Sequence, residues 1–292
     1  MQTMKEIFEE IEASGGLTPS RRLKDIANRF PEQVAFRDKR YGIWNEITYG
    51  EFWTQVQYIG CALNYFGIEK TDKVAIHSEN RPEWLIADIG VQAIGGISVG
   101  LYPTNPPAEV QYLLSHSESK ILFAEDQEQV DKALEVLDDV PNLSKIIYFE
   151  EKGLFRYDSE KLMRWDEFLE IGKQEYENNK DFVNFRLDEI KSEDVALMIY
   201  TSGTTGPPKA SMLSHGNMEW TASIIPDLSF TPNISNPEYL SYLPLCHVFG
   251  RLVDEIIAIN SIGTINFAES IDTVQRDLAA VSYTHLTLPT KA

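Results

Sequence analysis

Residues 195–215 read VALMIYTSGTTGPPKASMLSH, an apolar run followed by a loop of small polar residues. The apolar run is typical of a buried strand, and Lys209 adds a compact positive charge after the loop. Glycine lets a backbone bend with positive φ and approach a ligand closely. Successive N–H groups and nearby hydroxyls can then surround an anion. The stretch therefore predicts a polyphosphate-binding loop, whose residues are Thr201, Ser202, Gly203, Thr204, Thr205 and Gly206.

Two other interpretations of this loop exist. Clusters of glycine, serine and threonine are most often plain turns between strands, although a plain turn needs no lysine after two prolines. The Walker-type nucleotide loop requires glycine before its lysine and serine or threonine after it. Pro208 and Ala210 occupy those places here, which argues against a P-loop NTPase.

Strand-like and helix-like segments alternate along the chain. Apolar runs cover 74–76, 97–101, 121–123 and 146–149, and helical patterns cover 52–66, 82–93, 108–115 and 127–137. Further along, we predict a surface excursion with one helix over 150–192, then strands at 239–243 and 264–267 and helices from 216, 248 and 270. This order is typical of an α/β fold, a layered α/β/α arrangement with mostly parallel sheets.

Composition excludes several classes of protein. The net charge of −19 disfavours non-specific binding to nucleic acid, which depends on basic residues. No stretch has the pattern of a transmembrane helix or a secretory signal. The two cysteines, Cys61 and Cys246, fit no metal or disulfide framework and are expected to be small core residues. We therefore expect a cytoplasmic protein.

Several polar residues have simple structural interpretations. Asn80 precedes a helical segment and is the expected helix cap. His116 is expected at a helix end, and His77 and His215 are expected to be structural. His247, which follows a strand in LPLCHVFGR, is the second functional candidate beside the loop, although a lone histidine is more often structural.

The loop, with its prolines and lysine, resembles the signature of the AMP-forming adenylate superfamily, which includes acyl-CoA synthetases, luciferases and peptide adenylation domains. One departure is Ala210, where the family usually has glycine. The segments 80–84 (NRPEW), 101–107 (LYPTNPP) and 108–117 (AEVQYLLSHS) are similar to those of long-chain fatty acid–CoA ligases in particular.

This resemblance implies a two-step reaction. A fatty acid carboxylate attacks the α-phosphate of ATP to give acyl-AMP and pyrophosphate, and coenzyme A then displaces AMP. Mg²⁺ is implied as the cation that spreads the phosphate charge. The loop and Lys209 would hold the leaving phosphates, Thr201 would contact the metal, and His247 would shape and polarise the acyl pocket. Lys209 and His247 are thus the catalytic candidates.

The same resemblance implies that residues 1–281 are an incomplete large N-terminal AMP-binding domain. The adenine-binding aromatic motif, the metal-binding glutamate, the ribose-binding aspartate, the hinge and the small C-terminal domain with its lysine would all lie beyond Val281. Residues 282–292 contain no acidic residue and have the character of an artefactual tail. We therefore expect the 292-residue chain alone to be inactive.

Two alternatives remain open at this point. The acid could be an aryl or medium-chain one, or the chain could be a non-catalytic nucleotide-binding fragment. Acyl chain length, oligomeric state and peripheral contact with a membrane are also left open by the sequence.

Overall fold

Two β-sheets with helices between and beside them make up the computed structural model, which describes residues 18–40, 43–201, 206–224, 237–269 and 273–280. The strands are β1 Val34–Arg40, β2 Ile43–Thr48, β3 Lys73–His77, β4 Ile97–Leu101, β5 Ile121–Ala124, β6 Lys145–Tyr148, β7 Leu162–Arg164, β8 Val195–Thr201, β9 Lys209–Ser214, β10 Glu238–Ser241 and β11 Thr264–Phe267. The helices are α1 Pro19–Arg29, α2 Tyr49–Tyr65, α3 Pro82–Ala93, α4 Pro107–Ser117, α5 Gln127–Glu135, α6 Trp165–Asn178, α7 Phe182–Asp188, α8 His215–Ile224, α9 Val248–Arg251, α10 Ala258–Asn260 and α11 Val274–Ala280. A 3₁₀ turn follows α5 at Leu137–Asp139, and a π-helical segment, Leu252–Ile257, joins α9 to α10.

The described strands form one sheet of seven strands and one of four. The larger sheet has the order β7-β6-β5-β3-β4-β8-β9, and all neighbours in it are parallel except β8 and β9. The smaller sheet has the order β10-β11-β1-β2, with only β1 and β2 antiparallel. The predicted α/β class with mostly parallel sheets is confirmed.

Alternate residues of the large sheet face two different helical layers. In β3, Val74 and Ile76 belong to a buried cluster with α1, α2 and α3, whereas Ala75 belongs to a second cluster with α4 and α5. The first cluster also includes Phe36 and Phe267 of the small sheet. Helices α1 to α3 therefore lie between the two sheets, and the central strands β3, β4 and β5 are covered on both faces, as is usual in parallel sheets.

Local sequence explains most of the element boundaries. The Thr48 side chain accepts a hydrogen bond from the Glu51 N–H, and the Glu51 carboxylate accepts one from Thr48, so the predicted capping box begins α2. Helix α3 has the predicted bounds, but its predicted cap is wrong. Arg81 is the N-cap residue and makes no side-chain cap bond, while Asn80 reaches the small sheet instead.

The one helix predicted within 150–192 is present as α6, but the prediction that this segment is a surface excursion is wrong. Strand β7 extends the large sheet, and α6 packs along α2 with Phe168 fully buried. Gly172 fits against the Tyr58 carbonyl, where an added Cβ would lie 2.0 Å away. The segment has many exposed charged residues and only a narrow apolar face. Its composition suggested a surface location because the charged residues outnumber the buried apolar ones.

Candidate active site

The carboxyl ends of both sheets meet at one place. The chain leaves β3 toward α3 on one face of the large sheet and leaves β4 toward α4 on the other, which creates a crevice where ligands of parallel sheets commonly bind. The Asn80 amide, directly after β3, donates to the Ser241 hydroxyl at 2.9 Å and to the Leu243 carbonyl at 2.7 Å. Its oxygen accepts from the Leu245 N–H at 2.9 Å. Asn80 thus fastens the segment after β10 to the large sheet.

A cavity of about 240 Å³ opens at this crevice. It brings together Thr201, where the predicted phosphate loop begins, and His247, which lies 46 positions later in the chain (247 − 201). Two residues predicted separately from the sequence therefore line one site. Among the residues that the structure describes, the lining consists of Gly100, Tyr102, Asn105, Glu109, Leu113, Tyr200, Thr201, Pro208 and His247.

Thr201 and Lys209 lie on opposite sides of the loop base. They are directly paired partners in the antiparallel β8–β9 ladder, so their side chains share one face of the sheet. Both side chains are exposed. Thr201 lines the cavity, whereas Lys209 is not among the described residues that line it. A phosphate chain that extends from the cavity past Thr201 would reach Lys209 next.

The loop residues themselves are only partly described. Ser202, Gly203, Thr204 and Thr205 lie outside the described residues, so their phosphate-binding role stays a prediction. Gly206 has φ 101°, the left-handed region expected of a loop glycine.

Helix α4 holds the loop base against the rest of the fold. The Tyr112 hydroxyl donates to the Pro208 carbonyl at 3.0 Å, and the Tyr200 hydroxyl lies 2.8 Å from His116 Nδ1. Burial raises the pKa of Tyr200 to about 12, so its hydroxyl stays protonated at neutral pH. His116 does lie in the last turn of α4, as predicted, and it also anchors β8. Ala210, the departure from the family pattern, packs beside the same apolar cluster as Tyr200.

The His247 ring has one nitrogen engaged by the backbone. Its Nδ1 accepts a hydrogen bond from the Phe249 N–H at 3.2 Å, which makes His247 the N-cap of α9. An accepting Nδ1 carries no proton, so the neutral ring has its proton on Nε2. His247 can therefore donate a hydrogen bond to an oxygen in the cavity. This geometry suits a group that polarises a carboxyl oxygen and gives no support to a general base.

Gly100 lets the His247 segment approach the large sheet. A Cβ on Gly100 would lie 2.8 Å from the Cys246 Cα, so only glycine fits without displacing the backbone. Burial raises the pKa of the Cys246 thiol to about 12, which keeps it protonated and makes it a poor nucleophile. Both Cys61 and Cys246 are buried and free, as predicted.

The other two predicted structural histidines are buried. His77 Nε2 lies 3.1 Å from the Tyr102 carbonyl, and neither ring nitrogen of His215 has a hydrogen-bond partner among the described residues. Burial lowers the pKa of each to about 4, so both rings are neutral at pH 7.

Sequence reasoning missed three polar residues of the cavity. Tyr102, Asn105 and Glu109 follow β4, in segments that the sequence singled out only for their helical pattern and their resemblance to long-chain fatty acid–CoA ligases. Asn105 donates to the Glu109 carboxylate at 2.5 Å, while its Oδ1 is buried and has no partner among the described residues. Their position after a parallel strand was the available signal, because loops at that edge form binding crevices.

Comparison with known proteins identifies the family. A family model described as AMP-binding enzyme matches residues 23–291. The chain belongs to this family of AMP-binding enzymes. A long-chain-fatty-acid–CoA ligase of Xenopus laevis, ACSBG2, is 31% identical over 252 residues, which cover 84% of this chain and 33% of the relative. The human ACSBG2 is 29% identical over 259 residues, covering 88% of this chain and 38% of the relative.

Solved structures support the same fold. A candidate long-chain-fatty-acid CoA ligase of Rhodopseudomonas palustris superposes with a TM-score of 0.73 at 21% identity, covering 91% of this chain and 62% of the other. The present member of the AMP-binding family spans about a third of the length of these curated relatives. The domain boundary at 281 stays a prediction.

No helix within the described ranges is long and apolar enough to cross a membrane.

Proposed function

We propose that this chain is part of an AMP-forming ligase that activates a long-chain fatty acid with ATP and transfers the acyl group to coenzyme A. The observation that carries the proposal is the shared cavity of Thr201 and His247 at the carboxyl ends of the parallel strands. The names of the two ACSBG2 relatives support the long-chain substrate. The cytoplasm, with peripheral contact to membranes as a source of the acid, is the proposed location.

Each residue has a distinct part in the first half-reaction. The acid carboxylate attacks the α-phosphorus of ATP, an acyl–phosphate bond forms, and the bond to the pyrophosphate oxygen breaks. His247 Nε2–H would donate to a carboxyl oxygen of the acid and orient the other oxygen for attack. Lys209 and the loop would stabilise the negative charge that builds on the leaving pyrophosphate. In the second half-reaction, the thiolate of coenzyme A attacks the acyl carbon and AMP leaves.

The described residues offer little to hold Mg²⁺ by themselves. Within the described ranges, no group of three or more histidine, cysteine or carboxylate side chains is placed so that it could hold a metal ion. Thr201 contributes a hydroxyl and Glu109 a carboxylate to the same cavity. Magnesium commonly takes one or two protein oxygens and completes its shell with phosphates and water, so this pair fits a metal that arrives with ATP. Bound there, Mg²⁺ would neutralise phosphate charge during the displacement.

The decisive assay is acid-dependent exchange between ATP and labelled pyrophosphate, measured on the full product of the gene. The coding sequence past Val281 should first be read from an independent clone, so that this product is known. Palmitate, a medium-chain acid and an aryl acid are compared at equal concentration. We expect exchange with palmitate and, after addition of coenzyme A, formation of the thioester.

Each other result points to a different function. If only the medium-chain or the aryl acid supported exchange, the proposed reaction would stand but the proposed substrate class would be wrong. ATP binding without exchange by any acid would overturn the ligase proposal in favour of a nucleotide-binding module.

A further inference from the structure

A fully buried ionic cluster lies behind the segment that carries His247. We call Asp88, Gln92, Arg251 and Glu255 the Arg251 cluster. Arg251 Nη1 lies 2.7 Å from Asp88 Oδ1 and 3.5 Å from Glu255 Oε2, and Gln92 Nε2 donates to both carboxylates at 2.9 and 2.8 Å. All four side chains are at most about 2% exposed. The cluster joins α3 to the helical segment that begins at His247.

Such a cluster is costly to bury. Removing charges from water costs more than a simple pair regains, unless hydrogen bonds satisfy the remaining groups. Arg251 meets this condition, because its guanidinium also donates to the Ser98 hydroxyl at 3.3 Å and lies 4.6 Å above the Trp84 ring. Burial and the adjacent Asp88 carboxylate raise the pKa of Glu255, which reduces the excess negative charge. Apolar residues would stabilise the same position more simply, so the cluster calls for a role beyond stability.

The cluster reaches the segment that carries His247 through Arg251, whose backbone N–H donates to the His247 carbonyl at 3.2 Å and whose side chain donates to the carbonyl of Leu245. Arg251 Nε donates to the Leu245 carbonyl at 3.1 Å, and Leu245 precedes His247 by two residues. The Leu245 N–H is bound on its other side by Asn80. Since Nε and Nη1 belong to one planar guanidinium, the carboxylate of Asp88 fixes the direction in which Nε points. The position of His247 is thereby tied to α3.

We propose that the Arg251 cluster is a positioning device that holds the Leu245 carbonyl and so fixes His247 at the cavity. This inference rests on the proposed function for its effect on activity, but its structural part stands without that function. Arg251 touches no substrate in this scheme and acts through His247. Lysine at this position would keep the charge beside Asp88 but has no second donor in a fixed plane for Leu245. Arg251→Lys is therefore the variant that separates positioning from charge.

The first arm of the test reads the histidine ring directly, without turnover. Nitrogen-15 NMR of the full product of the gene reports which ring nitrogen of His247 carries the proton, with the signal assigned by His247→Ala. In the unmodified protein we expect the Nε2–H form, and in Arg251→Lys a mixture of both forms. The signals of His77, His116 and His215 should stay in place as internal controls. An unchanged His247 signal, or equal shifts of all histidines, would overturn the proposal.

The second arm measures coupling in the pyrophosphate exchange assay. We expect Arg251→Lys to lower the rate by about 10- to 100-fold, the size of a misplacement effect, while the KM for ATP changes little. In the double variant with His247→Ala, the loss should equal that of His247→Ala alone, because both changes remove the same contact. Arg22→Lys is the matched control: Arg22 is as deeply buried on α1, and its effect should add independently to that of His247→Ala.

The two arms keep the two proposals apart. Absence of exchange by the unmodified protein would count against the ligase function, and the NMR arm would still decide the positioning role. Exchange in the unmodified protein with additive losses in the double variant would show that Arg251 only stabilises the fold, which contradicts positioning.

Discussion

At the scale of single residues, the charge of Lys209 is the feature with the clearest consequence for ATP. It shares a face with Thr201 at the loop base and is exposed. A hydrogen bond between charged groups contributes about 1.5–3 kcal/mol, and solvent around Lys209 places it near the lower value. We expect Lys209→Ala to raise the Kd for ATP about 10-fold, measured by calorimetry on the full product of the gene. Lys191→Ala, an exposed lysine before β8, should leave the Kd unchanged; equal affinities of both variants would contradict the phosphate-binding role of Lys209.

Gly100 supports a second prediction at this scale. In Gly100→Ala the new methyl would press on the Cys246 backbone, 2.8 Å away, and push the His247 segment from the sheet. We expect a loss of stability of about 1–3 kcal/mol together with a fall in pyrophosphate exchange. The matched control is Gly60→Ala in α2, where the atoms nearest to the new methyl are side-chain methyls of Ile94 and Val183 at 3.0 Å, with the Gly90 carbonyl oxygen at 3.9 Å. If Gly60→Ala lowered exchange as much as Gly100→Ala, the local explanation would fail.

The candidate site was only partly predictable from residues. Thr201 and His247 were found because their local patterns stand out, and the structure places both on one cavity. The role of Asn80 was not predictable, because its partners Ser241, Leu243 and Leu245 are over 160 positions away. Asparagine before a helical segment is usually the N-cap of that helix. Here the side chain instead bonds to a segment that is distant in sequence, and only the folded structure shows this contact.

At the scale of elements, the alternation of continuous apolar runs with helix-like segments predicted the strands and helices from 73 to 148 closely. These strands are buried on both faces and read as continuous apolar runs. Within 150–192 the one predicted helix corresponds to α6, but β7 was missed because it has only three residues. The surface location was wrong because the charged residues of α6 drew attention away from its buried Phe168. The helix predicted over 248–259 is present but contains the π-helical segment Leu252–Ile257. Apolar spacing cannot reveal such a change of pitch, since Asp254 and Glu255 are buried polar residues there.

The junction of β9 and α8 should make stability depend on pH. His215 is buried there without a hydrogen-bond partner among the described residues, and burial lowers its pKa from 6.5 to about 4. Between these values the unfolded chain binds more protons than the folded one, so stability is full above pH 6.5 and is lost as the pH falls toward 4. The difference corresponds to at most about 3 kcal/mol.

Replacing this ring tests the argument. Leucine has no titrating group, so we expect His215→Leu to lose less stability than the unmodified protein between pH 8 and pH 4.5. Urea unfolding gives the free energy of unfolding of each protein at pH 8 and at pH 4.5. The comparison at pH 8 serves as the control, because histidine and leucine are both uncharged there. Parallel loss of stability in the two proteins would show that His215 does not set the acid limit.

At the scale of the whole molecule, the net negative charge disfavours both the folded state and the binding of an anionic ligand. The chain carries 45 acidic and 26 basic residues, a net charge of −19. Mutual repulsion of like charges destabilises a compact state, and it also repels ATP, so Lys209 acts against the general field. The exposed ion pairs of α6 and α7 offset little of this repulsion, since such pairs contribute at most about 1 kcal/mol each.

This balance predicts that salt stabilises the protein. Raising NaCl from about 0.02 to about 0.3 M shortens the range of charge interactions below the size of the molecule. Repulsion is long-ranged and is screened, whereas the buried Arg251–Asp88 pair is shielded from ions and keeps its strength. We expect the unfolding midpoint to rise by about 2–4 °C for each kcal/mol of repulsion removed, equally in KCl. A midpoint that falls with salt would mean that surface ion pairs outweigh the net charge.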